Sequence, residues 1–388
     1  MRIGLDARWI FPEITGIGSY TQELIRHLAC TDAENEYMLF FQHEEVRERT
    51  LAYASLHQVP NFDSRLIPYG PFSPRNQVSM PGVMREERLD VFHSTNFMIP
   101  FPAFPAARRG QTACVVTIHD LIPLMFPEHT PRALKTRFHP LYRWVMRQVG
   151  RRADLIITVS ESSRNDILRH MAIPEEESHR VVAIYEGVAD RYEPAPRRPV
   201  RDEKIILYVG RMDPYKNVPG LLNAFGRIVK HGTVPARLRI IGPRDERYPQ
   251  VQELIAAEQL QEHIDWPGYI SGEALLSAYQ EADLFVLPSL YEGFGLPVLE
   301  AMASGTPVVC SNRASLPEVA GNAAILVDPE NPDALMEAML SVLTDLALAE
   351  SLRIRGLDRA AQFSWKRTAI ETVNAYRNIF TAERETSR

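Results

Sequence analysis

The chain has 388 residues, more than one hydrophobic core usually supports, so two domains are expected. Its apolar content of 45% is ordinary for a globular protein, and its 49 acidic residues outnumber 43 basic ones to give a net charge of -6. The sequence therefore lacks the global positive charge that attracts nucleic acid, and no run approaches the about 18 apolar residues of a membrane span.

The opening segment, Met1 to Asp6, has the pattern of a β-strand and not of a signal peptide. The three cysteines, Cys30, Cys114 and Cys310, are scattered along the chain without the spacing of a metal site. We therefore expect reduced thiols in a cytoplasmic protein, since structural disulfides are typical of exported proteins.

Short β-type runs alternate with helical patterns along the whole chain. This alternation is typical of parallel sheets covered by helices, so the expected fold class is α/β. The predicted strands are 2–7, 36–42, 90–93, 113–118, 155–159, 180–185, 205–209, 236–241, 264–267, 284–288, 307–310 and 324–327.

A segment rich in proline and charge, from Arg191 to Arg201, breaks the alternation and is typical of an interdomain linker. We therefore expect a Rossmann-like domain over 1–190, a linker over 191–203 and a second Rossmann-like domain over 204–362. The remaining residues, 363–388, are expected to form a helix whose apolar face consists of Trp365, Ile370, Val373, Tyr376 and Phe380. Two doubly wound domains of this kind are expected to face each other across a cleft at the carboxyl ends of their strands.

A short glycine motif follows the first predicted strand. Gly16 and Gly18 precede a helical pattern that runs over 19–28. The G-x-G-x-x-G fingerprint of dinucleotide-binding folds would have a third glycine at Thr21, so the motif is incomplete. The glycines indicate either a phosphate-binding loop or a simple turn with its helix cap.

Two histidines lie at the carboxyl ends of predicted strands in the first half of the chain. His119 follows the strand 113–118, and His93 ends the strand before it. Both side chains are candidates for the cleft, because ligands bind at the carboxyl edge of an open parallel sheet. A histidine in the core or on the surface is the alternative for each.

The segment from Arg132 to Arg152 contains seven lysines or arginines and no acidic residue. Aromatic and aliphatic side chains are interleaved with these charges, as in helices that lie on an anionic membrane. Pro140 interrupts the pattern, so one continuous helix is not expected. The alternative is a solvated helix face that covers a domain core.

Two basic residues, Arg211 and Lys216, follow the first predicted strand of the second domain, within the segment Gly210–Asn217. This segment is the loop from a strand to a helix, where the cleft is expected. Two fixed cations beside a helix N-terminus can neutralise a diphosphate. A pair of solvated surface charges is the alternative.

The most informative motif is a glycine-rich turn between two glutamates, Glu292 and Glu300, which leads from a predicted strand into a short helix. Backbone N–H groups of such a turn are expected to point out of the helix N-terminus, where they hold an anion or sugar hydroxyls. Carboxylates accept hydrogen bonds from hydroxyl groups, so the motif suits a polyol that carries a phosphate. The turn consists of Gly293, Phe294, Gly295 and Leu296.

The motif from Glu292 to Glu300 resembles the Glu-x7-Glu signature of the retaining glycosyltransferases of family 4, which have the two-domain GT-B architecture. The loop with Arg211 and Lys216 resembles the Gly-Arg…Lys-Asn pattern of that family, and His119 lies in its His-Asp-Leu motif. The resemblance implies that the first domain binds the acceptor and the second binds the nucleotide sugar. It also implies that the last helix crosses back to the first domain.

The resemblance implies a role for each candidate residue. The first glutamate of the signature, Glu292, contacts hydroxyls of the donor sugar, and the second, Glu300, holds the nucleotide ribose. Arg211 and Lys216 contact the donor diphosphate, and His119 lies near the reacting face of the sugar. The other residues implied in donor binding are Gly16, Gly18, Gly210, Gly293, Phe294, Gly295 and Leu296.

The chain contains no Asp-x-Asp pair, by which many other transferases hold a divalent metal against a diphosphate. We therefore expect no metal and no other cofactor. In this interpretation Arg211, Lys216 and helix N-termini hold the diphosphate, and the nucleotide sugar is a substrate.

The implied reaction moves a hexose from a nucleotide-diphosphate sugar to a glycan or lipid-linked acceptor with retention of configuration. The opening residues Asp6 to Arg8, with Gly16 to Tyr20, are most similar to bacterial surface-polysaccharide mannosyltransferases, so GDP-mannose is the favoured donor. The segment 132–152 is the candidate for peripheral contact with the inner face of the membrane. A nucleotide-sugar epimerase of the same fold and a non-catalytic sugar-nucleotide-binding subunit are the alternatives.

Overall fold

The computed structural model describes most of the chain, and two of the predicted segments lie partly outside the described residues. These are the basic segment, of which 132–137 is not described, and the linker, of which 196–200 is not described. The described residues are 1–13, 15–106, 110–129, 138–195 and 201–386.

Internal contacts divide the chain into two compact units. The sequence predicts a continuous first domain up to residue 190, whereas the segment that begins at Ile122 is grouped with the second unit. Within that unit the ring of Phe126 packs against Tyr291, with the ring centroids 5.5 Å apart. The first unit comprises Met1–Leu121, Phe138–Gly187 and Ser364–Arg388, and the second comprises Ile122–Arg137 and Val188–Phe363.

The described residues of the first unit form a parallel sheet of seven strands. The strands are β1 (Arg2–Asp6), β2 (Glu36–Phe41), β3 (Phe62–Leu66), β4 (Val91–Ser94), β5 (Ala113–Ile118), β6 (Leu155–Thr158) and β7 (Val181–Ala183). Their spatial order is β3-β2-β1-β4-β5-β6-β7, so the winding direction reverses between β1 and β4. Loops that follow the strands therefore gather at one edge of the sheet, at the point where open α/β sheets bind ligands.

Helices connect these strands, and the last helix of the chain joins them by packing against the helix Gly16–Thr31. The helix α5 begins one residue before Pro140, which is tolerated there because the first-turn N–H has no partner inside a helix. Pro140 therefore lies in the first turn, and the described helical part of the basic segment begins only at His139. The helices of the first unit are α1 (Gly16–Thr31), α2 (Glu44–Tyr53), α3 (Pro74–Glu86), α5 (His139–Arg152), α6 (Glu161–His170) and α14 (Trp365–Thr386).

The helix α14 completes the core of the first unit. Trp365, Val373 and Tyr376 are buried, as the apolar spacing predicts, but Ile370 is 43% exposed. Ile370 points away because the buried face runs through 365, 369, 372, 373 and 376, the three- and four-residue spacing of one helix side. A Cβ atom on Gly187 would lie 2.1 Å from the backbone nitrogen of Trp365, so this glycine allows the close approach of the helix.

The described part of the second unit contains a parallel sheet of six strands in the order β10-β9-β8-β11-β12-β13. The strands are β8 (Lys204–Val209), β9 (Ala236–Ile241), β10 (Ile264–Gly268), β11 (Leu284–Leu287), β12 (Val308–Ser311) and β13 (Ile325–Val327). The winding direction reverses between β8 and β11, which places the loops after these two strands next to each other. Two Rossmann-like parallel sheets are therefore present, as the alternation of patterns predicts.

Most helices of the second unit follow one of its strands. Asn217 adopts a left-handed conformation with φ of 53° and caps α7, accepting a hydrogen bond from the Gly220 N–H at 3.3 Å. The helices are α4 (Ile122–Met125), α7 (Val218–His231), α8 (Gln250–Ala257), α9 (Glu273–Glu281), α10 (Leu296–Ala303), α11 (Leu316–Ala320), α12 (Pro332–Thr344) and α13 (Leu346–Ala360).

Gly242 lies where the ends of three strands of the second unit, β8, β9 and β10, approach one another closely. The Gly242 N–H donates to the Gly268 carbonyl at 3.0 Å, and the Gly210 N–H donates to the Ile241 carbonyl at 2.9 Å. A Cβ atom on Gly242 would lie 1.9 Å from the Gly210 carbonyl oxygen, where the φ of Gly242 is 153°. Because the obstructing atom belongs to the backbone, no side-chain movement relieves the clash.

We predict that Gly242→Ala lowers the free energy of unfolding by about 1–3 kcal/mol, the usual effect of an overpacked site. Gly226→Ala is the control, because Gly226 lies inside α7 and its Cβ would meet its nearest neighbour at an ordinary 3.6 Å. The control is expected to be neutral or slightly stabilising. Equal melting temperatures for the two variants in calorimetry would contradict the predicted clash.

Candidate functional site

The core of the candidate site in the second unit is an ion pair between Lys216 and Glu292. Lys216 lies in the loop after β8, and Glu292 lies in the loop after β11, which is the neighbouring strand at the reversal of the sheet. The Lys216 Nζ atom is 2.7 Å from Oε1 and 2.8 Å from Oε2 of Glu292. The winding of the sheet thus brings together two residues that are distant in the sequence.

The pair is fixed by its surroundings. The Ser289 hydroxyl donates to Glu292 Oε1 at 2.6 Å, and the Leu290 N–H donates to the Tyr215 carbonyl at 2.7 Å, which joins the two loops. The side chains of Lys216 and Glu292 are only 13% and 10% exposed. Such a shielded pair is expensive to break by removing one partner, since the other charge is left desolvated.

The glycine-rich turn after Glu292 has the predicted strand-to-helix geometry. Gly295 is the N-cap of α10 with φ of 115°, and a Cβ atom there would lie 2.7 Å from Leu316 Cδ2. The Ser315 hydroxyl lies 2.9 Å from the carbonyl oxygen of Glu292 and 2.7 Å from that of Phe294, and so fixes the turn from the side. The N-cap residue, being glycine, has no side chain with which to cap α10. Pro297 lies in its first turn.

The second glutamate of the signature, Glu300, projects from α10 and is half-buried. The Tyr279 hydroxyl donates to Glu300 Oε2 at 2.8 Å. Burial and the nearby Glu300 carboxylate raise the pKa of Tyr279 and of Tyr192, so both phenols remain protonated. Tyr279 therefore orients the Glu300 carboxylate as a permanent hydrogen-bond donor.

Arg211 has a carboxylate partner of its own. Its Nε atom is 3.0 Å from Oδ2 of Asp213, and its side chain is 59% exposed. Asp213 is itself buried and accepts a hydrogen bond from the Tyr248 hydroxyl at 3.2 Å. Gly210 precedes this group, and a Cβ atom there would lie 2.7 Å from the Tyr208 hydroxyl. Arg211 and Lys216 thus each pair with a different carboxylate, and their joint contact with a diphosphate stays a prediction.

The glycine motif of the first unit forms the start of α1. Gly16 is the first residue of the helix, and the N-cap Thr15 accepts a hydrogen bond from the Gly18 N–H at 3.3 Å. Thr21, which replaces the third glycine of the fingerprint, is buried and donates to the Ile17 carbonyl at 2.8 Å. The segment therefore has the geometry of a turn with its helix cap.

The two candidate histidines have different surroundings within the first unit. His93 is fully buried, with Nδ1 2.6 Å from the Tyr376 hydroxyl and Nε2 2.8 Å from Thr117 Oγ1. Burial, together with the charge of His119, lowers the pKa of His93 to about 3, so His93 is a neutral core residue. His119 follows β5 and keeps 14% of its side chain exposed.

Several residues of the site are missed by reasoning from the sequence alone. Ser289, Ser315 and Tyr279 support the two signature glutamates, and Glu186 lies 3.4 Å from His119 Nδ1. Ser289 follows β11 and Glu186 follows β7, so their position after a strand was an available signal. Ser315 and Tyr279 had no such signal, because their contacts depend on how the helices pack.

Comparison with known proteins gives two family matches that together cover almost the whole chain. Residues 14–191 match the model "Glycosyltransferase Family 4", and residues 192–359 match "Glycosyl transferases group 1". The fold is shared with a sucrose-phosphate synthase from Thermosynechococcus elongatus, with a TM-score of 0.77, 21% identity and coverage of 98% of this chain and 100% of that one.

The relatives among characterised sequences include bacterial polysaccharide enzymes. The O-antigen chain mannosyltransferase B of Escherichia coli is 33% identical over 386 residues, which cover 94% of this chain and 96% of that protein. The serotype-specific mannosyltransferase WbdA of Escherichia coli is 29% identical over 76% of this chain, which spans only 36% of that protein. The chain therefore belongs to glycosyltransferase family 4, with the two Rossmann-like domains of the GT-B fold.

Proposed function

We propose that this glycosyltransferase transfers mannose, with retention of configuration, from a nucleotide-diphosphate mannose to a glycan or lipid-linked acceptor of a cell-surface polysaccharide. GDP-mannose is the favoured donor. The two Escherichia coli relatives are named mannosyltransferases, which supports mannose as the sugar. The observation that carries the proposal is the shielded contact of Lys216 with Glu292 beside the N-terminus of α10.

In the proposed reaction Lys216 and the amides at the start of α10 receive the departing diphosphate. Negative charge grows on the diphosphate as its bond to the sugar breaks, so a fixed cation stabilises the transition state more than the bound donor. Glu292 receives hydroxyls of the sugar, and Glu300, oriented by Tyr279, receives the ribose hydroxyls. The acceptor hydroxyl gives its proton to the departing phosphate.

Lys216 and Glu292 can each contact the donor while they remain paired with each other. Glu292 has two carboxylate oxygens, of which Oε1 is already shared between Lys216 and Ser289. A carboxylate held in this way has a fixed orientation and keeps accepting capacity for a sugar hydroxyl. The ammonium of Lys216 has three donors, so it can contact a phosphate oxygen without leaving Glu292.

An assay with purified chain, a nucleotide sugar and an acceptor glycan separates this proposal from its two alternatives. We expect mannose transfer from GDP-mannose, slower transfer from UDP-glucose and no loss of donor to an isomer when acceptor is omitted. An epimerase would convert the donor without acceptor. A non-catalytic binding subunit would bind nucleotide but neither transfer nor hydrolyse the donor.

We predict that Lys216→Ala lowers kcat/KM by about 10- to 150-fold, the effect of losing a charge-assisted hydrogen bond of about 1.5–3 kcal/mol. EDTA is expected to leave the activity unchanged, because the proposal assigns no metal to the diphosphate. The control is Lys230→Ala, since Lys230 is 66% exposed on α7 and pairs with Glu258. Strong inhibition by EDTA, or equal activity of the two variants, would contradict the proposed phosphate contact.

We further propose that the outer face of α5 makes peripheral contact with an anionic membrane. Tyr142, Val145 and Val149 are buried on its inner face, whereas its outer face exposes Leu141 and Trp144, by 59% and 52%. Exposed arginines at 143, 147 and 151 accompany them, with no acid in the helix. Apolar side chains among cations suit the interface of an anionic bilayer. Among the described helices none combines the length and apolar character needed to cross a bilayer.

The double substitution Leu141→Ser with Trp144→Ser is predicted to reduce binding to vesicles of 30% phosphatidylglycerol in phosphatidylcholine by at least fivefold in sedimentation. The matched control is Leu346→Ser with Ile354→Ser, which removes two exposed apolar residues from α13. Equal binding by both double variants, or equal binding to pure phosphatidylcholine, would argue against this surface.

A further inference from the structure

The chain enters the second unit through residues 188–194, which form the entry segment. This segment packs against two helices of that unit. The Gln280 Nε2 group, at the end of α9, donates to the Glu193 carbonyl at 2.8 Å. A Cβ atom on Gly305, just after α10, would lie 3.2 Å from Pro194 Cβ. The first residues of the predicted linker are therefore a packed part of the second unit.

Tyr192 is the residue of the entry segment whose ring reaches the interior. It is 6% exposed, and its ring packs edge-on against Tyr279, with the centroids 5.7 Å apart and the planes at 82°. The Arg191 guanidinium lies 4.9 Å from the centroid of the Tyr192 ring. Burial, and after it the Glu300 carboxylate, raises the pKa of Tyr192, so this phenol adds no charge beside Glu300.

Tyr279 connects this ring contact to the second glutamate of the signature. Its hydroxyl donates to Glu300 Oε2 at 2.8 Å, and its backbone carbonyl accepts a hydrogen bond from the Thr306 hydroxyl at 2.6 Å. Its ring is fully buried and packs against Phe285 with the centroids 5.6 Å apart, and against Tyr192. Removing the Tyr192 ring would open a cavity beside Tyr279 and let its ring tilt away from the carboxylate.

We propose that Tyr192 is a positioning residue that, through Tyr279, holds Glu300 in the orientation that receives the ribose hydroxyls of the nucleotide. This inference rests on the proposed function for the role of Glu300. Hydrogen bonds from hydroxyls are directional, so a rotated carboxylate keeps its charge but loses its ribose contacts. The entry segment is in this way a part of the nucleotide site as well as a connection along the chain.

The test compares two nucleotides by calorimetry with the full chain. One is GDP, or UDP if UDP binds the wild type more tightly, and the other is the 2′,3′-dideoxy form of the same nucleotide. The dideoxy form lacks both ribose hydroxyls, so its Kd reports the rest of the site. We expect the wild type to bind the ordinary nucleotide at least about 10-fold more tightly, the effect of hydrogen bonds to a charged group.

In Tyr192→Ala we expect this preference to fall at least about fivefold, while the Kd of the dideoxy form stays within about twofold of the wild-type value. Unchanged binding of the dideoxy form shows that the variant is folded. Tyr192→Phe keeps the ring and should retain the preference within about twofold. The matched control is Glu193→Ala, which removes an exposed side chain from the next position but leaves the carbonyl that Gln280 contacts.

Steady-state kinetics give a second readout. Tyr192→Ala is expected to raise the KM for the donor at least about fivefold, with kcat at saturating donor within about threefold, because Glu300 contacts the ribose and not the reacting bond.

The proposal is overturned if Tyr192→Ala keeps the wild-type preference, if Tyr192→Phe loses as much as Tyr192→Ala, or if Tyr192→Ala binds both nucleotides equally weakly. A wild type without any preference overturns the proposal together with the ribose role of Glu300. The expected preferences in a chain that transfers no mannose overturn the proposed function alone.

Discussion

The ion pair of Lys216 with Glu292 depends on the point at which the second sheet reverses its winding. The strands β8 and β11 are neighbours there, and the loops that follow them supply one partner each. The loops after parallel strands lie at the same edge of the sheet. The neighbouring position of β8 and β11 therefore brings the charges of Lys216 and Glu292 into contact. Ser289 and Ser315 then fix the carboxylate and the backbone of the turn, which leaves the start of α10 in a defined position.

The architecture was predictable because buried parallel strands leave a clear sequence signal. The strands β5 and β9, for example, are found at the predicted residues, since each is a short β-type run between helical patterns. The strand β3 is missed because its residues are Phe-Asp-Ser-Arg-Leu, half-exposed at the sheet edge and without an apolar run. Edge strands need no continuous apolar character, so periodicity does not find them.

A site residue was predictable where it lies in a loop that follows a strand and has few other oppositely charged side chains nearby with which to pair. Lys216 and Glu292 satisfy this condition, and they pair. Arg211 satisfies it too, but the nearby Asp213 decides where its guanidinium lies. The same limit separates His119 from His93, since both end strands and only the packing of α14 shows that His93 is enclosed. The position of Glu186 after a strand is visible in the sequence, but its contact with His119 joins distant elements and cannot be assigned from local sequence.

The return of α14 to the first unit has a consequence for how the protein is made. Tyr376 supplies the hydroxyl beside His93, and Trp365 lies directly against Gly187, so the N-terminal sheet is completed by residues encoded after the entire second unit. On the ribosome the early strands must therefore wait until α14 has been synthesised before their core can close. The first unit therefore completes its folding late. With this topology the domains cannot fold fully one after the other as the chain emerges.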